Sequence, residues 1–364
     1  MQSTIFRNED GDVSLLEDKL ISIIGFGNQA RAIALNLRDS GLKIIIAPHT
    51  EEYLSRAQKD NFQIEEIPKA IKLADFIFIL TDDDFIINNF ENSIKPSLEE
   101  GKTLIFANGY SVAYNKLQLP TTIDVLLLSP KVPGIGIREN FLTNKGFFSF
   151  VSVYQDSSQN ALKTLLALTK AIGGLKRGAI EVTSEQQTIM KLFSTQTFTY
   201  ALIQIMMRSI LRLVDEGYPP EAIFVELILS GEGGFTVDKM IEVGMIKQMN
   251  FHSQTSQYGQ MSRGMKFRQV TKKVEIIQRS ILQEIKDGTF VNEWEKEDSK
   301  IKLNIMRNSI GQSRFSKVER EVRKKLNFEH IDLLTDSKIP SESEIAALKL
   351  AEFQQQVKEF YGGI

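Results

Sequence analysis

The apolar run KLISII (Lys19–Ile24) ends in GFGNQA (Gly25–Ala30) and passes straight into ARAIALNLRDSG, whose apolar residues recur at helical spacing. A strand, a glycine turn and a helix in that order constrain this chain more than any other feature. They predict the first half of a β-α-β unit in a parallel sheet. The turn fits the G-x-G-x-x-A pattern. Gly25 permits the tight turn, Gly27 lets a pyrophosphate approach the backbone, and Ala30 lets the helix pack close to the strand. The helix N-terminus favours the phosphate charge. Phe26, Asn28 and Gln29 fill the rest of the expected dinucleotide site. The competing reading of the motif alone is a tight turn that binds nothing.

The runs LKIIIAP, ADFIFILT, KTLIFAN, DVLLLSP and FFSFVSVY read as further short strands, interleaved with helical patterns such as SSQNALKTLLALTKAIGG. Such alternation predicts an α/β domain with a parallel sheet covered on both faces. After about residue 180 strand signals vanish and long helical patterns take over, from EQQTIMKLFSTQTFTYALIQIMMRSILRLVDEG to SKVEREVRKKL. The expected organisation is a dinucleotide-binding α/β domain over 1–180, an all-helical domain over 181–326 and a helical tail over 327–364.

The second strand runs into IIIAPHTEEY. A carboxylate there holds a ribose 2′-hydroxyl, whereas basic and hydroxyl groups suit a 2′-phosphate. His49 and Thr50 fit a phosphate, while Glu51 and Glu52 repel one, so the reading leans to NADH over NADPH; all four also suit a solvated turn. Thr81, Asn108 and Gly134, in the segments that follow later strand-like runs, complete the expected cofactor set. Lys131 sits in PKVPGIGIREN between prolines and glycines. Such a stiff, bare loop positions its lysine.

The formal net charge of −2 indicates neither a nucleic-acid footprint nor a basic membrane surface. With no cysteines, disulfides, thiolate metal sites and a cysteine nucleophile are ruled out. The first residues lack the apolar core of a secretory signal, and no apolar run is long enough to span a membrane, so a cytoplasmic location is expected.

In order, IIGFGNQARAIALNLRDSG, ADFIFILTDDDF, GKTLIFANGYSVAYN, LLLSPKVPGIGIR, AIGGLKRGAIEVT, LVDEGYPPEA and SQTSQYG resemble ketol-acid reductoisomerase, and the likeness runs to about Leu326. The resemblance implies a Rossmann domain followed by a knotted helical domain, and a homodimer with active sites between subunits. It also implies a pair of magnesium ions held by carboxylates on two helices. At those positions this chain carries Lys191 and Thr195 on the first helix, and Glu226 and Ser230 on the second, with Glu232 a possible substitute ligand. Asn108 stands where the family has a histidine. Lys131 matches the family's active-site lysine, and Ser253 lies at or near its substrate-binding serine.

Magnesium takes hard oxygen ligands in near-octahedral geometry, so no magnesium is expected here. The alkyl migration that needs it is expected to be lost. Hydride transfer needs only the cofactor and a stabilised oxyanion. The expected function is therefore a metal-independent, nicotinamide-dependent reductase of a carbonyl or imine in a small anionic substrate. Lys131, Lys191 and Glu226 are the expected catalytic residues, with Thr195 and Ser253 binding substrate. Lys191 either takes over part of the metal's electrostatic role or merely pairs with Glu226. Gln186 and Gln187 read as solvated amides. Two other readings stand beside this one: a true ketol-acid reductoisomerase with an altered magnesium site, and a non-catalytic dinucleotide-binding homologue.

Overall fold

Buried strands of a parallel sheet carry apolar residues on both faces, so their sequences do not alternate. The first unit of the computed structural model is built this way. The structure describes residues 3–328 and 350–362. Its contacts divide the chain into two units, Met1–Lys191 and Leu192–Ile364.

The first unit holds a sheet of nine strands. They are β1 (Ile5–Phe6), β2 (Leu20–Ile24), β3 (Lys43–Ala47), β4 (Gln63–Ile64), β5 (Phe76–Ile79), β6 (Thr103–Phe106), β7 (Asp124–Pro130), β8 (Phe148–Gln155) and β9 (Gly178–Glu181). The spatial order is β1-β9-β8-β7-β6-β5-β2-β3-β4. Strands β2 to β7 pair in parallel, as the alternating pattern predicts. The FFSFVSVY strand departs from that expectation: β8 runs antiparallel to β7, with Pro130 opposite Ser149. An apolar run carries no direction, which is set only by the path of the connection before it.

Side chains on either side of each strand feed separate cores. Ile21, Ile23, Ile44, Ile46, Phe76 and Phe78 face one. Ile24, Ile45, Ile77 and Ile79 face the other. Helix α1 (Asn28–Asp39) covers the first face with Ala30, Ile33, Ala34 and Leu37. The chain leaves β2 in one direction, through β3 and β4, and in the other through β5. The crevice at the carboxyl ends of β2 and β5 is where such sheets bind ligands.

The second unit is helical throughout its described residues. Met207, Leu211 and Ile305 form a small core with Leu350, Val357 and Tyr361, so the C-terminal helix Ala351–Gly362 is packed into it. The Tyr200 and Tyr361 hydroxyls meet at 2.7 Å. Residues 329–349 lie outside the described residues, and with them the first part of the helix expected in the tail. Several large apolar side chains of this unit stay exposed in the single chain, among them Phe198, Ile241, Met245, Ile246, Phe267 and Ile276.

Candidate active site

Gly25 closes β2 with φ +90°, and a Cβ there would lie 2.7 Å from both Leu80 O and Thr81 Cγ2. Only glycine fits this turn. Gly27, the residue before α1, has an ordinary φ of −68°. The nearest atom to a Cβ at Gly27 is the Tyr53 hydroxyl, at 3.3 Å. The φ at Gly27 suits any residue, and a Cβ there requires only that the Tyr53 side chain give by a few tenths of an ångström; what bareness provides is room over the amides of Asn28, Gln29 and Ala30. Thr81 Oγ1 is buried beside the turn with no hydrogen-bond partner among the described residues, as a cofactor-facing hydroxyl would be. This cradle fits a dinucleotide.

Phe26 is fully buried, its ring 5.6 Å from that of Phe62. It can offer a cofactor only backbone. Gly134 starts helix α6 (Gly134–Leu142), and a Cβ there would sit 2.6 Å from Asn28 C and O. Its bareness seats α6 on the first turn of α1 and supports the glycine turn from behind.

The ribose end differs from a phosphate-binding loop. His49 Nδ1 is buried without a hydrogen-bond partner among the described residues, its ring lying 4.1 Å from Phe85 and 5.2 Å from Tyr53. Burial pushes the imidazole below its usual pKa, against the pull of Asp82, so His49 is a neutral stacking group. Thr50 caps helix α2 (Glu51–Lys59), its Oγ1 accepting from the Tyr53 amide at 3.2 Å. Glu52 ties up Arg56, whose Nη1 also reaches Asn28 Oδ1 at 3.4 Å. A cavity here is lined by Pro48, His49, Thr50 and Glu51 together with Glu65 and Glu66. The last two escaped the sequence reading. Only the β3–β4 pairing brings them here, with Glu65 N donating to Ile46 O at 3.1 Å.

The carboxyl ends of β5, β6 and β7 gather the reactive side chains. The Lys131 amide donates to Phe148 O at 2.8 Å, and Nζ lies 4.5 Å from the Phe150 ring centroid. Burial of the ammonium, then the charge of Lys191, push its pKa down. Asp83 opens helix α4 (Asp83–Asn89) after β5, and its Oδ2 accepts from Asn108 Nδ2 at 2.9 Å. Burial raises its carboxyl pKa to about 6 against the opposing pull of Lys191 and Asn108, with Asp82 and Asp84 adding to the rise. Asp83 also escaped the sequence reading. The only signal was its place in TDDDF after the strand next to the glycine turn.

Helix α8 (Ser184–Phe193) carries Lys191 and is locked to this edge by polar groups. Gln187 is fully buried, contrary to the expectation of a solvated amide. Its Oε1 accepts from the Gly109 amide at 3.0 Å, and its Nε2 faces Ser129 Oγ at 3.4 Å. A Cβ on Gly109 would stand 2.7 Å from Ser184 O. Gln186 caps the helix start, exchanging hydrogen bonds of 3.0 Å with Thr183 in both directions.

Thr195, Glu226 and Ser253 belong to the second unit. Thr195 Oγ1 bonds Leu192 O at 3.1 Å within a π turn, Ser194–Thr199. Glu226 lies in another, Val225–Leu229. Such turns are frequent at functional sites. Ser253 caps helix α12 (Gln254–Gly264), its Oγ accepting from the Ser256 amide at 3.2 Å.

Residues 15–178 match the family model for the acetohydroxy acid isomeroreductase NADPH-binding domain, and 184–328 that for the ketol-acid reductoisomerase C-terminal domain. The chain belongs to the ketol-acid reductoisomerase family. It is thus an enzyme of an NAD(P)H-dependent family. It is 32% identical to a ketol-acid reductoisomerase (NADP(+)) of Pyrobaculum neutrophilum, covering 88% of this chain and 98% of that one. A namesake from Methanopyrus kandleri is also 32% identical, over 89% and 99%. Among solved structures, an NADH-preferring ketol-acid reductoisomerase from an uncultured archean superimposes with a TM-score of 0.81 at 31% identity, covering 88% of this chain and 98% of that one.

Proposed function

We propose that this ketol-acid reductoisomerase-family protein reduces the carbonyl or imine of a small acid-bearing molecule with NADH, without magnesium. The observation that carries the reading is the setting of Lys131 at the sheet edge: burial, then the charge of Lys191, lowers its pKa. Ammoniums gathered at one sheet edge suit a substrate carboxylate and the oxyanion that forms on reduction. When bound, the reduced nicotinamide supplies the hydride. The chain's own work is to seat the pyrophosphate on α1, hold the substrate acid beside Lys191 and stabilise the oxyanion with Lys131.

The donor set does not suit a pair of magnesium ions. Lys191, Thr195 and Ser230 stand at three of the positions where the resemblance calls for carboxylates. An ammonium offers a cation no lone pair and repels it. NADH is favoured because Glu51, Glu65 and Glu66 line the ribose-end cavity, while Arg56 is engaged by Glu52. The names of the Pyrobaculum and Methanopyrus relatives support the second reading, a full ketol-acid reductoisomerase with NADPH. We further infer a homodimer in the cytoplasm; the exposed apolar side chains of the helical unit are suited to pairing.

Oxidation of NADH followed by absorbance, against a panel of 2-keto acids with EDTA and then with magnesium, tests the proposal. Turnover in EDTA supports it. A strict magnesium requirement with production of a rearranged dihydroxy acid supports the second reading instead.

A further inference from the structure

Gln187 is fully buried, where a long polar side chain costs free energy unless both ends of its amide are used. Both are. Its Oε1 accepts from the Gly109 amide at 3.0 Å, which turns Nε2 toward Ser129 Oγ at 3.4 Å. Gly109 follows Asn108 in the segment after β6, and Ser129 stands on β7 two residues before Lys131. One side chain of α8 thus spans two strand ends. The packing beside it is close: a Cβ on Gly109 would lie 2.7 Å from Ser184 O and 2.8 Å from Thr188 Oγ1. Thr188 Oγ1 spends its proton on Ser184 O at 2.8 Å, so Gln187 is the side chain that meets the Gly109 amide.

Lys191 follows Gln187 by four residues on α8, one turn along the same face. We propose that Gln187 is a positioning residue for the substrate acid: its two polar contacts set where α8, and with it the Lys191 ammonium, stands at this sheet edge. This rests on the reductase reading above and deepens it.

Lys131 is held by other means. Its amide donates to Phe148 O at 2.8 Å, and its Nζ lies 4.5 Å from the Phe150 ring centroid, Phe150 being the β8 partner of Ser129. A loosened α8 therefore displaces the group that holds the substrate acid and leaves the oxyanion donor in place. The consequence is specific. Loss of the Gln187 amide weakens binding of the acid and spares hydride transfer to substrate already bound. Methionine has the length of glutamine but leaves the Gly109 amide buried without its acceptor. Glutamate keeps an acceptor for Gly109, and the Ser129 hydroxyl can rotate to donate to its other oxygen.

The test uses the full-length protein with NADH in EDTA, and pyruvate and 2-ketobutyrate as probes. Gln187→Met is expected to raise the keto-acid KM about tenfold, with kcat changed little and NADH affinity unchanged. Gln187→Glu is expected to bring KM back near the wild-type value. A folded Gln187→Met with wild-type KM overturns the proposal, as does a fall in kcat with KM unchanged. If Gln187→Met does not fold, Ser129→Ala, which removes only the partner of Nε2, decides: a raised KM upholds the proposal and a wild-type KM overturns it. A wild type that oxidises NADH with neither keto acid overturns the reductase reading and this proposal together, whereas wild-type turnover with unaltered KM in the variants overturns the role of Gln187 alone.

Discussion

Asn108 Nδ2 donates to Asp83 Oδ2 at 2.9 Å, joining the ends of β6 and β5 over the mouth of the sheet. The carboxyl so held has its pKa raised by burial to about 6. A raised carboxyl pKa means the native state holds the proton more tightly than the unfolded chain. The stabilisation is complete below the unfolded value near 3.8 and is lost as pH rises to about 6. The loss is roughly 3 kcal/mol, the shift multiplied by about 1.4 kcal/mol per unit. Asp83→Asn, neutral at every pH, is expected to become the more stable protein at pH 7. Melting curves of both proteins between pH 4 and 7 check this, and a constant difference across that range would contradict it.

The glycine turn separates folding from binding. Gly25→Ala forces a Cβ against Leu80 O at a φ of +90°, so it is expected to cost more than 1 kcal/mol of stability. Gly27→Val places its Cβ 3.3 Å from the Tyr53 hydroxyl, the end of a side chain that can shift aside. It is expected to keep the melting temperature while weakening NADH binding strongly. Equal loss of stability in both variants would refute the distinction.

Cofactor choice depends on Glu52 through Arg56. Glu52→Ser frees the guanidinium that now pairs with it and removes a charge that repels a 2′-phosphate. NADPH affinity is expected to rise about tenfold, equivalent to about 1.4 kcal/mol, with little change for NADH. A wild type that already prefers NADPH by that factor defeats the argument.

Lys191→Ala is expected to lower the reduction rate at limiting substrate by roughly tenfold or more, because it removes the ammonium that holds the substrate acid. Lys191→Asp is expected not to restore isomerisation, because Thr195 and Ser230 remain. Single-turnover NADH oxidation in EDTA checks both. A wild-type rate in Lys191→Ala would remove the lysine from the chemistry.

Light scattering is expected to show a dimer or a larger even assembly at micromolar concentration. The exposed Phe198, Ile241, Ile246 and Ile276 motivate this. A well-folded monomer would exclude it.

The sequence alone determined the α/β first unit, the helical second unit and the glycine turn between β2 and α1. Those features rest on local physics: apolar runs, helical spacing, a turn only glycine can make and a helix N-terminus beside it. The family likeness likewise singled out Lys131 and Lys191. Tertiary structure decided what depends on distant segments meeting. The reversed direction of β8 was set by its connection. The neutral state of His49 came from Phe85 and Tyr53 closing over it. Gln187, one of two adjacent amides in sequence, became buried because the Gly109 amide needed an acceptor. Glu65 reached the ribose end only through strand pairing. Asp83 looked like one acidic residue in a run of them. Its chemistry arises because burial penalises its charge while Asn108 and Lys191, far away in the chain, oppose that penalty.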